Sequence, residues 1–209
     1  MLEKPIAFIA KIIADFTHEI NNHLALIKES AGLISDICKD KKSIDKKEMP
    51  LIKESLEAIT NQINKSVNFI NYFNRFAHRM DNLKSTFVLS SVFEEIFELL
   101  KRYLNRKKVS LKYNLQSNIP TIESSPFILQ FLIFYAVDSF LKKSIPDSSI
   151  VVSITSENNI IRIVIKYEGE FIETPVTEIW PLSNIQEIAY LTDISISSDE
   201  KIITINIPV

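Results

Sequence analysis

The stretch FTHEINNHLA, Phe16 to Ala25, puts a histidine, a glutamate and two asparagines inside about one and a half helical turns. Imidazole in general is a competent nucleophile near neutral pH, because much of it is unprotonated there, and His18 supplies such a ring. Asn22 lies at i+4, one turn on and on the same side of the helix as His18. A second histidine, His23, follows five residues after His18. That spacing excludes a zinc-protease helix, which needs histidines at i and i+4. Five residues place the two rings about 140° apart around the axis. No metal is expected.

These residues sit in a long apolar pattern. Ile9, Ile13, Phe16, Ile20, Leu24, Ile27, Ala31, Ile34 and Cys38 recur at steps of three and four, with one extra residue of phase near Ile20. A charged break, Asp40 to Pro50, follows. A second line runs through Leu56, Ile59, Ile63, Val67, Ile70, Phe73 and Ala77. Two such helices cannot bury both stripes on each other alone, so a homodimer forming a four-helix bundle is expected. His78, near the end of the second helix, reads as a C-terminal cation or a surface residue.

The pattern changes after Met80. FVLSSVFEEIFELLKRYL reads as an extended entry and then a helix capped by Ser90 or Ser91. VSLKYNL (109–115) alternates as a strand, and SPFILQFLIFYAVDSFLKK (125–143) is a helix with proline near its first turn. Residues 149–157 and 160–168 are two strands joined by Asn158-Asn159, a hairpin signal. A helix is expected near Ser183–Thr192, and a last hairpin from ISISS and KIITINIPV closes the chain. The expected fold class is α+β. An antiparallel helical hairpin (1–82) precedes an α/β sandwich (83–209).

Composition removes several function classes. A net charge of −2 offers no basic field for nucleic acid. The single cysteine, Cys38, excludes an internal disulfide and reads as a small apolar side chain. The apolar start is short and is interrupted by Lys4, Lys11 and Asp15, so neither a signal peptide nor a membrane span is read, and a cytoplasmic location is expected. There are two glycines, Gly32 and Gly169, where ordinary usage gives roughly 14. A glycine-rich phosphate loop is therefore out of reach.

The order of hairpin and sandwich, with His18-Glu19-Ile20-Asn21-Asn22-His23-Leu24 on the first helix, resembles the catalytic core of bacterial sensor histidine kinases. Their phosphoacceptor motif has the form H-E-[IL]-x-[NT]-P-L, and every element matches except the proline, here His23. The resemblance implies that His18 accepts a phosphoryl group. It implies that Glu19 holds one ring N–H, and that Asn22 stands where phosphatase-competent kinases orient water. The nucleotide motifs depart from the family. The magnesium-binding asparagine becomes Tyr135 or Asp138, depending on register. At the end of the strand IIRIVIKYE, Tyr167 stands for the adenine-binding aspartate. Glu168, Glu170 and Phe171 replace the asparagine, proline and second glycine, and Gly169 and Ile172 remain. The lid should follow, but Glu173 to Leu182 contains no glycine. Carboxylates repel a triphosphate, and Phe171 adds bulk where glycine would let phosphates approach. Tyr167 and Phe171 are expected to fill the pocket as core. No ATP and no other cofactor is expected.

Without ATP the phosphoryl group must come from another protein. The resemblance is nearest in character to dimeric histidine phosphotransferases with a degenerate sandwich, which relay phosphoryl groups between response-regulator receiver aspartates. A receiver would dock along His18, Asn22, Leu26, Glu29 and Leu33, with His23 a surface residue beside them. Taken singly, Leu26 and Leu33 also read as a widening of the bundle core. A phosphatase, a non-catalytic dimeric binding module and a divergent active kinase are the competing readings.

Overall fold

A computed structural model describes residues 3–39, 44–115, 120–172, 189 and 192–209. Two long helices, α1 (Glu3–Cys38) and α2 (Met49–His78), form an antiparallel hairpin. Pro50 lies in the first turn of α2, where its missing N–H costs nothing. Phe16 stacks on Phe73 at 4.0 Å between ring centroids, and on Phe69 at 5.5 Å.

The second region begins with β1 (Ser85–Phe87), α3 (Leu89–Lys107) and β2 (Ser110–Leu115). It continues with β3 (Ile122–Ser124), α4 (Pro126–Lys143), β4 (Ser149–Glu157) and β5 (Ile160–Glu168), and ends with β6 (Ser195–Asp199) and β7 (Ile202–Pro208). Five strands form one sheet in the order β2-β4-β5-β7-β6. Only the β2–β4 pair is parallel. Strand alternation puts Ile150, Val152 and Ile154 of β4, and Ile161, Ile163 and Ile165 of β5, on one buried face. α3 and α4 cover that face. Asn158 and Asn159 both take positive φ (52° and 59°), the geometry of a type I′ turn, and so set the β4–β5 register. The fold is therefore the expected α+β arrangement: a helical hairpin, then a mixed sheet with helices.

Three local expectations need correction or fall outside the described residues. Neither Ser90 nor Ser91 caps α3. Its N-cap is Val88, and the Ser91 hydroxyl donates to the Val88 carbonyl within the first turn. The short strand β3, paired with β1, was not anticipated. The expected helix near Ser183–Thr192 lies outside the described residues apart from Ala189 and Thr192, as does the lid segment from Glu173 to Leu182.

The hairpin stripe also divides differently. The fully buried apolar residues of α1 are Phe8 and Ile12, one position before the stripe read from Ile9 and Ile13. Phe8 packs against Phe76 of α2 and against Phe127, Phe131 and Phe134 of α4. The start of α1 is thus wedged between α2 and α4. Ile13 and Leu24 on α1, and Leu56, Ile63, Val67 and Ile70 on α2, face outward.

Charged anchors accompany this wedge. Glu95 of α3 is wholly buried and meets Arg79 through two hydrogen bonds, of 2.8 and 3.0 Å, and Gln130 of α4 at 2.9 Å. A buried carboxylate needs such pairing, since an unpaired one costs several kcal/mol. Among the described residues no helix is long and apolar enough to cross a membrane.

Candidate functional site

His18 lies on the exposed face of α1. It borders a shallow depression with Ala14, Thr17, Asn21 and Asn22. Small and polar neighbours leave the ring approachable. Asn22 is exposed one turn on, and its Nδ2 donates to Glu19 Oε2 at 3.4 Å.

Glu19 turns elsewhere. Its neighbour in sequence is about 100° away around the helix, and that rotation points Glu19 at α3. Oε2 lies 3.4 Å from Arg102 Nε, and Arg102 Nη1 lies 3.4 Å from Asp15 Oδ1. Glu19 was expected to hold the His18 ring. Its contacts among the described residues are with Arg102, Asn22 and His23 instead.

His23 is not the surface residue that was expected. It is 9% exposed and turned into the α1–α2 contact. Nδ1 lies 3.0 Å from Ser66 Oγ, and the Ser66 hydroxyl donates to the Gln62 carbonyl at 2.8 Å. With the serine proton donated there, the imidazole proton is assigned to Nδ1. Nε2 stands 3.7 Å from Glu19 Oε1. A histidine fits this interior position because Ser66 satisfies it. Leu26, Glu29 and Leu33 continue along α1 and are exposed. In the single chain, the two leucines do not widen the hairpin core.

The end of β5 has the opposite character. Tyr167 is buried, its ring stacked on Phe171 at 4.5 Å and 8° and on Phe140 at 5.8 Å. Its hydroxyl donates to the Glu170 carbonyl at 2.8 Å and accepts from the Ile145 N–H at 3.3 Å. Lys201 Nζ donates to the Gly169 carbonyl at 2.8 Å. A Cβ on Gly169 would stand 2.7 Å from Ser148 Cβ and 3.0 Å from Tyr167 Oη, so this glycine is required by packing. Tyr167 and Phe171 therefore fill this corner, as the sequence implied.

Of the two positions offered for the lost asparagine, Tyr135 is half-buried with Lys4 Nζ 5.4 Å from its ring centre. Asp138 is buried and bound three ways: to Lys11 Nζ at 2.5 Å, Lys142 Nζ at 2.8 Å and Tyr103 Oη at 2.8 Å. Burial alone would raise the Asp138 pKa. The hydrogen bonds from Lys11, Lys142 and Tyr103 outweigh it and hold the carboxyl below its ordinary value. Burial, with the nearby Asp138 charge, pushes the Tyr103 phenol up. Asp138 thus anchors α4 to α1.

Sequence reasoning missed Arg102, Lys11 and the Phe8–Ile12 wedge. A signal for the wedge exists: Phe8 and Ile12 lead at steps of four into Phe16, one residue before the Ile9–Ile13 start of the stripe that was read. For Arg102 no local signal exists, because its partners lie more than eighty positions away in the chain. Among the described residues no cluster of histidine, cysteine and carboxylates could hold a metal ion.

No protein-family model matches the chain, and no curated protein matches it. Solved structures do. The histidine kinase AdeS of Acinetobacter baumannii superposes with a TM-score of 0.50 at 17% identity, over 91% of this chain and 97% of that one. The nucleotide-free catalytic domain of the histidine kinase ThkA superposes with a TM-score of 0.51 at 12% identity, over 60% of this chain and 95% of its own. At such identities the likeness is one of fold. The chain has the fold of a histidine-kinase core.

Proposed function

We propose that this chain is a histidine phosphotransferase of a two-component phosphorelay, working in the cytoplasm without ATP. A neutral ring nitrogen of His18 attacks the phosphorus of a receiver's aspartyl phosphate. A P–N bond forms as the acyl P–O bond breaks, and the aspartate leaves as a carboxylate. A second receiver reverses the step. Residues 1–82 carry the reaction, and residues 83–209 keep the kinase-like sandwich without its nucleotide chemistry. The observation that carries this reading is the aromatic stack of Tyr167, Phe171 and Phe140, which occupies the corner where the family resemblance puts adenine, in a chain whose His18 stays open to solvent.

The outward apolar line of Leu56, Ile63, Val67 and Ile70 supports a homodimer, which would remove these side chains from water. Sedimentation should give twice the chain mass for the wild type and less for Val67→Glu. A wild-type monomer at micromolar concentration would sink the dimer. The exposed Asn22 beside His18 favours one second reading, in which the same surface hydrolyses the receiver's phosphoryl group.

The deciding experiment supplies receivers labelled on aspartate, with no ATP, to wild type and to His18→Ala. Label moving onto the wild type alone supports the relay. Faster release of free phosphate with the wild type supports the phosphatase. If neither occurs with any receiver, the protein is a binding module. Calorimetry with ATP should give no heat of binding, and micromolar affinity would overturn the ATP-free reading.

A further inference from the structure

Arg102 reaches from α3 to the helical turn that carries His18. Its guanidinium engages Glu19 Oε2 and Asp15 Oδ1, each at 3.4 Å. The same Glu19 oxygen accepts the Asn22 amide at 3.4 Å, and Asn22 lines the depression beside His18. Two contacts therefore connect the sandwich to the reactive face of the hairpin.

His23 offers Glu19 little. With the Ser66 hydroxyl donating to Gln62, the ring proton is assigned to Nδ1. In the neutral ring, Nε2 then turns a lone pair toward Glu19 Oε1, 3.7 Å away, and donates nothing. Lone pair and carboxylate do not attract. Arg102 is the cation within reach, and a guanidinium cannot lose its charge. Glu19 is half-buried, and its carboxylate forms an ion pair with that guanidinium.

We infer that Arg102 is a positioning residue for the reaction at His18, acting through Glu19 on the side-chain amide of Asn22. The inference rests on the phosphotransfer reading above and extends it. With its amide nitrogen engaged by Glu19, Asn22 presents its carbonyl oxygen as an acceptor for a water hydrogen. Hydrolysis of a docked receiver's aspartyl phosphate needs such a water. The water oxygen bonds to phosphorus, the acyl P–O bond breaks, the carboxylate leaves and a proton passes to solvent. Transfer to His18 needs no water. Arg102 therefore sets the partition between phosphate release and transfer, and gives the sandwich a task other than nucleotide binding.

The test measures that partition and, separately, the coupling itself. Labelled receiver is given to wild type, Arg102→Met, Arg102→Lys and Lys11→Met. The last loosens the joint between hairpin and sandwich without touching Glu19. The ratio of released phosphate to histidine-bound label should fall about tenfold in Arg102→Met, and stay within about twofold of wild type in the other two. An unchanged ratio in Arg102→Met, or an equal fall in Lys11→Met, overturns the inference. Independently of any receiver, the Asn22 side-chain NH2 resonance, assigned with Asn22→Asp, should shift in Arg102→Met and hold in Lys11→Met. A resonance that stays in place in Arg102→Met refutes the coupling even if transfer occurs. A shifted resonance in a protein that takes no label supports the coupling and places the failure in the phosphotransfer reading.

Discussion

The turn around His18 and the corner at the end of β5 are the two places to which the sequence resemblance assigns chemistry. The first holds its polar groups at the surface around an open ring. The second is closed by three stacked aromatic rings whose one polar atom, the Tyr167 hydroxyl, is satisfied by backbone groups. Closing a pocket in this way adds apolar burial and removes a site that would otherwise need bound ligand or water. An exposed imidazole adds little to stability, and on the proposed function it faces a partner outside the chain. The two regions therefore place opposite demands on mutation. One should govern reactivity with little effect on folding, and the other folding with little effect on reactivity.

The largest expected effect comes from His18→Ala. Acceptance of label from a phosphorylated receiver should vanish, while the urea midpoint stays within about 0.5 kcal/mol of wild type, as for ordinary surface substitutions. A destabilised His18→Ala would mean that the ring has a structural role, and the comparison would fail on that side. Tyr167→Ala is the counterpart. Removing a buried, stacked ring should cost about 3–5 kcal/mol, read by urea unfolding. Below the unfolding transition, transfer to His18 should continue. The cavity should also not admit ATP, since Glu168 and Glu170 remain. If calorimetry detected ATP binding to Tyr167→Ala, the closed corner would be a plugged site rather than a lost one.

Gly169→Ala sharpens the same side with a single methyl group. The added carbon would meet Ser148 Cβ at 2.7 Å and Tyr167 Oη at 3.0 Å, at a backbone φ of 156°. Overpacking of this kind typically costs about 1–3 kcal/mol. Gly169 then has a packing role here. A variant as stable as wild type would show that the loop yields freely and that Gly169 is not held by the stack.

Much of the sandwich was legible because its signals are local. Buried and outward positions alternate along β4, β5 and β7, Asn158-Asn159 supplies a turn with both φ values positive, and Ser125 accepts from the Ile128 N–H directly before Pro126. The hairpin was legible as two helices, but not in its rotation. α1 carries two apolar lines one residue apart, and periodicity alone could not say which one faces α4. His23 was misplaced for a related reason. Its burial depends on Ser66, forty-three positions later, and no spacing on α1 announces that partner. The open ring of His18 agrees with its place off the apolar stripe of α1. The direction of Glu19 needed Arg102, whose contact with it exists only after the two regions pack.

The smallest expected effect tests that packing from the acid side. Asp138 has its pKa held below the ordinary carboxylate value by Lys11, Lys142 and Tyr103 against the opposing effect of burial. A depressed pKa in the folded state stabilises the protein above the unfolded value, about 3.9 for aspartate, and that contribution disappears as pH falls through the folded value. Wild type should therefore hold constant stability from this group between pH 7 and about 5, and lose it below about 4. Lys11→Met removes one of three partners, so the cost at pH 7 should be about 1–2 kcal/mol. Its urea midpoint should then fall less steeply than that of wild type between pH 4 and pH 2. Parallel acid profiles for the two proteins would mean that Lys142 and Tyr103 hold Asp138 without help from α1. The anchor between hairpin and sandwich would then rest on the Phe8 wedge, the Arg79–Glu95 pair and the contacts of Arg102 with Asp15 and Glu19.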